Sequence, residues 1–303
     1  MKLSVIIPCK NEEGNIKLLY DKLSGVLMDL KYELLFIDDG SDDNTLFVLK
    51  ELYKNDKKHI KILSFSRNFR KEAAMIAGIE HASGEYTCII DGDLQQNPKY
   101  LLEMIEFLDN NSSYDEVAMV IKNRNEGKII SFLKKMFYKT IDKLSDVHFE
   151  DAASDFRMFR KNVKKSIIEL KEKNRFTKGI FSWIGFNIKY IPYDIEERNS
   201  GASSFGFINS IKYAFNGITN FSYKPLRLSL FLGIMISFVS IIYFLLILKN
   251  ITMNSILLLF LMLFSGMQFI FIGIIGMYIS NIQDEVKARP NYILKEKIGF
   301  EEK

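Results

Sequence analysis

The sequence predicts an α/β fold, with a mostly parallel sheet wrapped by helices, followed by interfacial helices and a two-helix transmembrane hairpin. Three observations predict it. Short apolar runs alternate with helical patterns through residues 3–121. Acidic clusters follow the first, second and fourth of those runs. Two long uncharged runs stand almost back to back near the C-terminal end.

The alternation begins with "LSVIIP" (3–8), which reads as a buried strand. Ile16, Leu19, Leu23, Val26 and Leu30 then share one helical face. "YELLFI" (32–37) is a second strand, and a helix runs on toward Tyr53. "IKILSF" (60–65) is a third strand and 72–81 a third helix. "YTCII" (86–90) is a fourth strand, and Pro98 opens a fourth helix. "EVAMVI" (116–121) is a fifth strand.

The polar clusters are "PCKNEE" after strand one, "DDGSDD" after strand two and "DGDLQ" after strand four. In parallel sheets, ligands bind beyond the carboxyl ends of the strands. Asn11 and Ser41 are also good N-cap residues, so each cluster alone could be a helix cap. Three acidic clusters on one rim repel one another unless a cation or hydrogen-bond donors offset them. A divalent metal carrying a diphosphate fits that requirement, and hard oxygen ligands suit Mg²⁺ or Mn²⁺. Neither G-x-x-x-x-G-K-[ST] nor G-x-G-x-x-G follows strand one, so a glycine phosphate cradle is not expected.

The uncharged runs cover 228–248 and 251–283, each long enough to cross a bilayer as a helix. Only "KNITMN" joins them. Lys224 and Arg227 precede the pair, Lys287 and Arg289 follow it, and Lys249 alone marks the turn. The positive-inside bias therefore puts both flanks in the cytoplasm. Gln268, mid-run, reads as an amide bonded within the hairpin or across a subunit contact. The expected layout is a cytosolic domain over 1–204, a juxtamembrane amphipathic helix over 205–224, and spans within 225–283, at about 226–248 and 255–280. A cytosolic tail over 284–303 completes it.

Composition narrows the function. A chain of 303 residues holds a good-sized globular domain and something more. A net charge of +4 implies no nucleic-acid footprint. Cys9 and Cys88 lack metal-ligand spacing, which predicts reduced, cytosol-facing thiols. The apolar run in "MKLSVIIPCKNEE" is too short for a signal peptide. Two segments suit a membrane surface. In 125–146, Ile130, Leu133, Phe137, Ile141 and Leu144 form an apolar stripe beside Lys128, Lys135 and Lys139. An ordinary helix packed on the sheet is the alternative. The stretch 205–221 is amphipathic and leads into the first span. Trp183 reads equally as core or interface.

Taken in order, "SVIIPCKNEE", "FIDDGSDDNT", "SRNFRKEAAMIAGIEHASGEY", "IIDGDLQQNP", "DFRMFRK", "ERNSGASSF" and "RPNYIL" resemble glycosyltransferase family 2, the polyisoprenyl-phosphate glycosyltransferases in particular. The resemblance implies a GT-A fold and a multi-pass enzyme of the cell (inner) membrane, with its catalytic domain cytoplasmic. It implies that Pro8, Glu12, Asp38, Asp39 and Asp91 bind the nucleotide sugar. Asp91, Asp93 and Gln95 match the metal positions for Mg²⁺ or Mn²⁺. Arg124 and Arg198 match basic residues near the phosphates, and Asp155 an acidic residue near the reacting centre. A surface ion pair of Asp155 with Arg157 is the alternative for that residue.

The implied partners are a UDP-sugar, polyprenyl phosphate and the bilayer, with no nucleic acid. A homo-oligomer, tetrameric in relatives, stays open. The implied reaction moves one sugar with inversion to undecaprenyl phosphate. A non-lipid acceptor and an inactive scaffold are the alternatives. Two positions depart from the family: Ser204 stands where a lysine is common, and Lys10 where many relatives carry an aromatic residue. The processive signature Q-x-x-R-W is missing, which predicts one sugar per turnover.

Overall fold

A computed structural model describes residues 1–122, 153–172, 177–196, 235 and 254–300. The chain forms two compact units. The first holds β1 (Leu3–Cys9), α1 (Ile16–Leu27), β2 (Tyr32–Asp38), α2 (Thr45–Asn55), β3 (Ile60–Phe65), α3 (Lys71–His81), β4 (Tyr86–Ile89) and α4 (Tyr100–Asn110). It continues with β5 (Glu116–Ile121), β6 (Ala153–Arg160), α5 (Lys161–Glu169), α6 (Thr177–Trp183), β7 (Ile188–Tyr193) and, from the far end of the chain, β8 (Leu294–Ile298).

The strands make one sheet in the order β7-β5-β6-β4-β1-β2-β3-β8. Its centre, β4-β1-β2-β3, is parallel. Such strands are buried on both faces, and β1 shows it. Leu3, Val5 and Ile7 join the core that contains Ile16, Leu19 and Leu23 of α1. Ile6 points to the opposite face, where α3 lies so close that a Cβ on Gly78 would stand 2.3 Å from it. Only glycine permits that approach. Each of these fully buried aliphatic side chains contributes about 1.5–3 kcal/mol.

The chain runs β1 to β2 to β3 on one side of β1, then crosses to β4 on the other. The β1/β4 boundary is thus the switch point, where loops leaving neighbouring strands diverge and open a crevice. The acidic loops after β1 and β4 flank it.

Several local expectations change. Neither Asn11 nor Ser41 caps a helix, since α1 and α2 start after Asn15 and Asn44. Instead the Asn11 N–H donates to Ser41 Oγ at 3.0 Å, and the Asp42 N–H to Asn11 Oδ1 at 2.9 Å, lacing the two loops together. Pro98 lies in a turn before α4, which begins at Tyr100. The strands β6, β7 and β8 were not expected; β6 and β8 carry several charges and pair antiparallel with their neighbours. Trp183 is 57% exposed.

The second unit contains α7 (Asn254–Val286), which spans the second uncharged run. The first run, 228–248, and the stretches 125–146 and 205–221 lie almost wholly outside the described residues. Several side chains within α7 also do. Among the described residues no helix is long and apolar enough to cross a membrane, so the expected hairpin is not shown. Gln268 is exposed on α7.

Candidate active site

The three acidic loops meet at the carboxyl ends of β1, β2 and β4. Gly92 brings the loops after β1 and β4 into contact: a Cβ there would stand 3.3 Å from Pro8 O and 3.6 Å from Glu12 Cγ. The Asp39 N–H donates to Cys9 O at 2.9 Å, which fastens the second loop to the first. Pro8, Glu12, Asp38, Asp39, Asp91, Asp93 and Gln95 therefore belong to one rim. Arg124 and Arg198 lie outside the described residues.

The rim's backbone is strained at three points. Asn11, Arg70 and Leu94 take φ of 56°, 77° and 64°, one each in the loops after β1, β3 and β4. Non-glycine residues hold such conformations only where surrounding contacts impose them, and functional loops concentrate them.

Asp91 is fully engaged. Its Oδ1 lies 2.6 Å from the Lys71 ammonium, and its Oδ2 accepts Gln96 Nε2 at 3.0 Å. Its N–H donates back to Gln96 Oε1 at 2.9 Å. Lys71 reaches Asp155 Oδ2 at 2.8 Å. Asp155 is thus joined to the rim through Lys71, while Arg157 instead pairs with buried Glu116 at 2.8 Å. Burial by itself would lower the Lys71 pKa, but Asp155 and Asp91 outweigh it and hold the ammonium well above its ordinary range. Burial pushes the Asp91 carboxyl up, Lys71 opposes it, and the neighbouring carboxylates of Asp155 and Asp93 add to the rise. Lys71 and Gln96 are site residues that sequence reasoning missed. Their signal was position: one opens the helix after β3, the other follows Gln95.

The other two expected metal residues are arranged by their own loop. The Gln95 N–H donates to Asp93 Oδ1 at 3.2 Å. Gln95 O accepts the Glu196 N–H at 3.0 Å, so the segment entering "ERNSG" is tied to this loop. Asn97 Nδ2 also donates to Glu196.

Among the described residues no group of three or more His, Cys, Asp or Glu side chains is gathered as a metal site. The donor chemistry still fits a hard divalent cation, because Asp91, Asp93 and Gln95 offer only oxygen. Nearby Cys9 does not compete as a thiolate. Burial, helped by Glu12 and Asp38, pushes its thiol well above the ordinary value.

Asp38 and Asp39 shape the other half of the rim. Asp38 accepts the Ser41 N–H at 3.0 Å and Ser64 Oγ at 2.8 Å. Burial raises the Asp39 carboxyl, opposed by the backbone N–H groups of Phe69 and Arg70. That contact (2.6 Å from Phe69 N to Oδ1) holds the loop after β3. Between these loops lies a cavity of about 510 Å³, lined by Lys10, Asp38, Gly40, Arg67, Asn68 and Lys295 among others. Gly40 takes φ of 60°, and a Cβ there would stand 2.5 Å from Arg67 C, so the cavity wall requires glycine.

The chain has relatives of known family. The family model described as "Glycosyl transferase family 2" matches residues 4–167. The protein CsbB of Bacillus subtilis (strain 168) is 38% identical over 97% of this chain and 91% of its own length. The SfII prophage-derived bactoprenol glucosyl transferase of Shigella flexneri is 35% identical over 97% of this chain and 98% of its own. Among solved structures, a glucosyl-3-phosphoglycerate synthase from Mycobacterium tuberculosis, in complex with Mn²⁺, UDP and phosphoglyceric acid, is 18% identical. It covers 72% of this chain and 76% of its own, with a TM-score of 0.49. At that distance no residue role transfers.

Proposed function

The chain belongs to glycosyltransferase family 2, and from that premise we propose that it moves one sugar from a nucleotide sugar, UDP-glucose or a close relative, to polyprenyl phosphate. One observation carries the acceptor. The similarity to a bactoprenol glucosyl transferase runs over 97% of this chain, well past the catalytic domain and through the uncharged runs. In this reading residues 228–248 and 251–283 form the membrane hairpin, with the catalytic domain on the cytoplasmic side.

The acceptor's phosphate oxygen attacks the anomeric carbon in line. The bond from that carbon to the diphosphate breaks, the nucleoside diphosphate leaves, and the configuration inverts. A phosphate oxygen is already anionic near neutral pH, so the step needs little general-base help. What it needs is positive charge that holds two anions together. Lys71 supplies one such charge, kept protonated by Asp91 and Asp155. Arg198 and Arg124, which match the family's basic positions, would supply the others. Asp155 orients Lys71. Asp91, Asp93 and Gln95 would hold Mg²⁺ or Mn²⁺, which when bound offsets charge on the leaving diphosphate.

The test incubates the purified full chain in detergent with undecaprenyl phosphate and a panel of nucleotide sugars. Mass analysis of the lipid should show one hexose added and no ladder of longer products. Sugar recovered only on a water-soluble product, or no transfer at all, would overturn the proposal.

A further inference from the structure

The tail strand carries one feature that the reading above leaves unused. β8 pairs antiparallel with β3, and the register slips once. Ser64 opposes Glu296, whereas Phe65 opposes Leu294. Lys295 is therefore the extra residue of a bulge, left without a partner in the ladder. Bulges at sheet edges re-aim a side chain, and here the re-aimed side chain lines the cavity beside Asp38, Gly40 and Arg67.

The strand is pinned around the bulge. The Ser66 N–H donates to Ile293 O at 2.9 Å. The Tyr292 ring stacks on Phe65 at 5.0 Å, and its hydroxyl donates to Glu80. Glu296 pairs with Lys50 at 2.6 Å. Lys295 is thus held at the rim by a fixed strand. The other two cavity cations are partly spent: Lys10 donates to Gly40 O at 3.0 Å, and Arg67 lies 4.5 Å from the Phe69 ring centroid. Among the described residues Lys295 has no ion pair.

Position decides which part of a ligand it would meet. Asp91 and Asp93 follow β4, on one side of β1. The cavity lies on the other side, at β2 and β3, and Lys295 enters from beyond β3. A nucleotide whose diphosphate sits at the carboxylate pair directs its nucleoside across β1 into the cavity. We propose that Lys295 donates to an acceptor on that nucleoside, so that the chain's C-terminal strand completes the nucleotide pocket. This rests on the nucleotide-sugar reading.

The test measures calorimetric affinities of the full chain for UDP, GDP, CDP and ADP, then for the monophosphate of the tightest binder. Lys295→Met keeps the apolar stem and removes the charge. It should weaken the diphosphate and its monophosphate by the same factor, about tenfold, the order expected for one charged hydrogen bond. Lys297→Met, on the same strand with its ammonium 4.7 Å from the Phe300 ring centroid, should leave both affinities unchanged. Melting temperatures of both variants should match the unaltered protein. If the unaltered protein binds a nucleotide and Lys295→Met does not weaken it, or weakens only the diphosphate, this inference is overturned and the nucleotide-sugar reading stands. If the unaltered protein binds none of the four, both fall.

Discussion

The Lys71 ammonium stands 2.6 Å from Asp91 Oδ1, so the first carboxylate of the Asp-Gly-Asp turn already holds a cation supplied by the chain itself. The same ammonium bonds Asp155, which lies 84 residues further along. One helix terminus thereby joins the loop after β4 to the start of β6. About two turns further along, α3 sits close on the sheet at Gly78.

Lys71 should therefore matter more than an ordinary surface lysine. Removing one preorganised charge-stabilising donor from an active site typically costs 10²–10³ in turnover. Lys71→Met should lower kcat by about a hundredfold, and Lys71→Arg by much less, since it restores the charge. Steady-state kinetics with melting curves measure this. Wild-type kcat in folded Lys71→Met would remove the residue from the mechanism.

Turnover should require a divalent cation. Asp93→Asn removes a charged oxygen ligand and Gln95→Ala a neutral one, so the first should abolish activity nearly completely and the second reduce it mildly. Full turnover in excess chelator, with tightly bound metal excluded by elemental analysis, contradicts this.

Stability should fall in acid through Glu33. This fully buried carboxylate accepts Ser4 Oγ at 2.5 Å and the Ser83 N–H at 2.7 Å, and it pairs with Lys61 at 2.6 Å. Burial acts to raise its pKa, yet these donors prevail and hold it below the ordinary 4.5. A carboxyl depressed in the folded state contributes stability above its unfolded value and loses it as pH falls through the folded one. Glu33→Gln should cost about 2–3 kcal/mol at neutral pH. It should also flatten the dependence of stability on pH below 4.5. Denaturant melts at several pH values check both, and parallel curves for the two proteins would refute it.

Topology should place the 249–254 turn outside the cytoplasm. With Cys9 and Cys88 replaced by alanine, Thr252→Cys should react with an impermeant thiol reagent added from the outside. Reaction from the cytoplasmic side alone would invert the arrangement.

The central layout could be read along the chain because its causes are local. The runs ending at Pro8 and Ile37 are apolar enough to be buried on both faces, and the helix patterns between them permit only parallel pairing. Acidic loops following such strands must share one edge of the sheet, so Glu12, Asp38 and Asp91 could be grouped before any contact was known. Periodicity could not assign partners. Asn11 and Ser41 look like caps in sequence, but they bond to each other's loops because those loops are adjacent in space.

Tertiary contact alone decided the rest. Asp155 has Arg157 two residues away, yet it pairs with Lys71, because Arg157 is committed to buried Glu116. β8, with three charges in five residues, has little strand signal of its own and becomes a strand only by pairing with the edge of β3. That pairing, and the bulge within it, carries Lys295 into a cavity built by residues more than two hundred positions earlier. Helix and strand periods arise between near neighbours and are written in the sequence. Ion-pair choice and edge pairing depend on which distant groups the closed sheet leaves within reach.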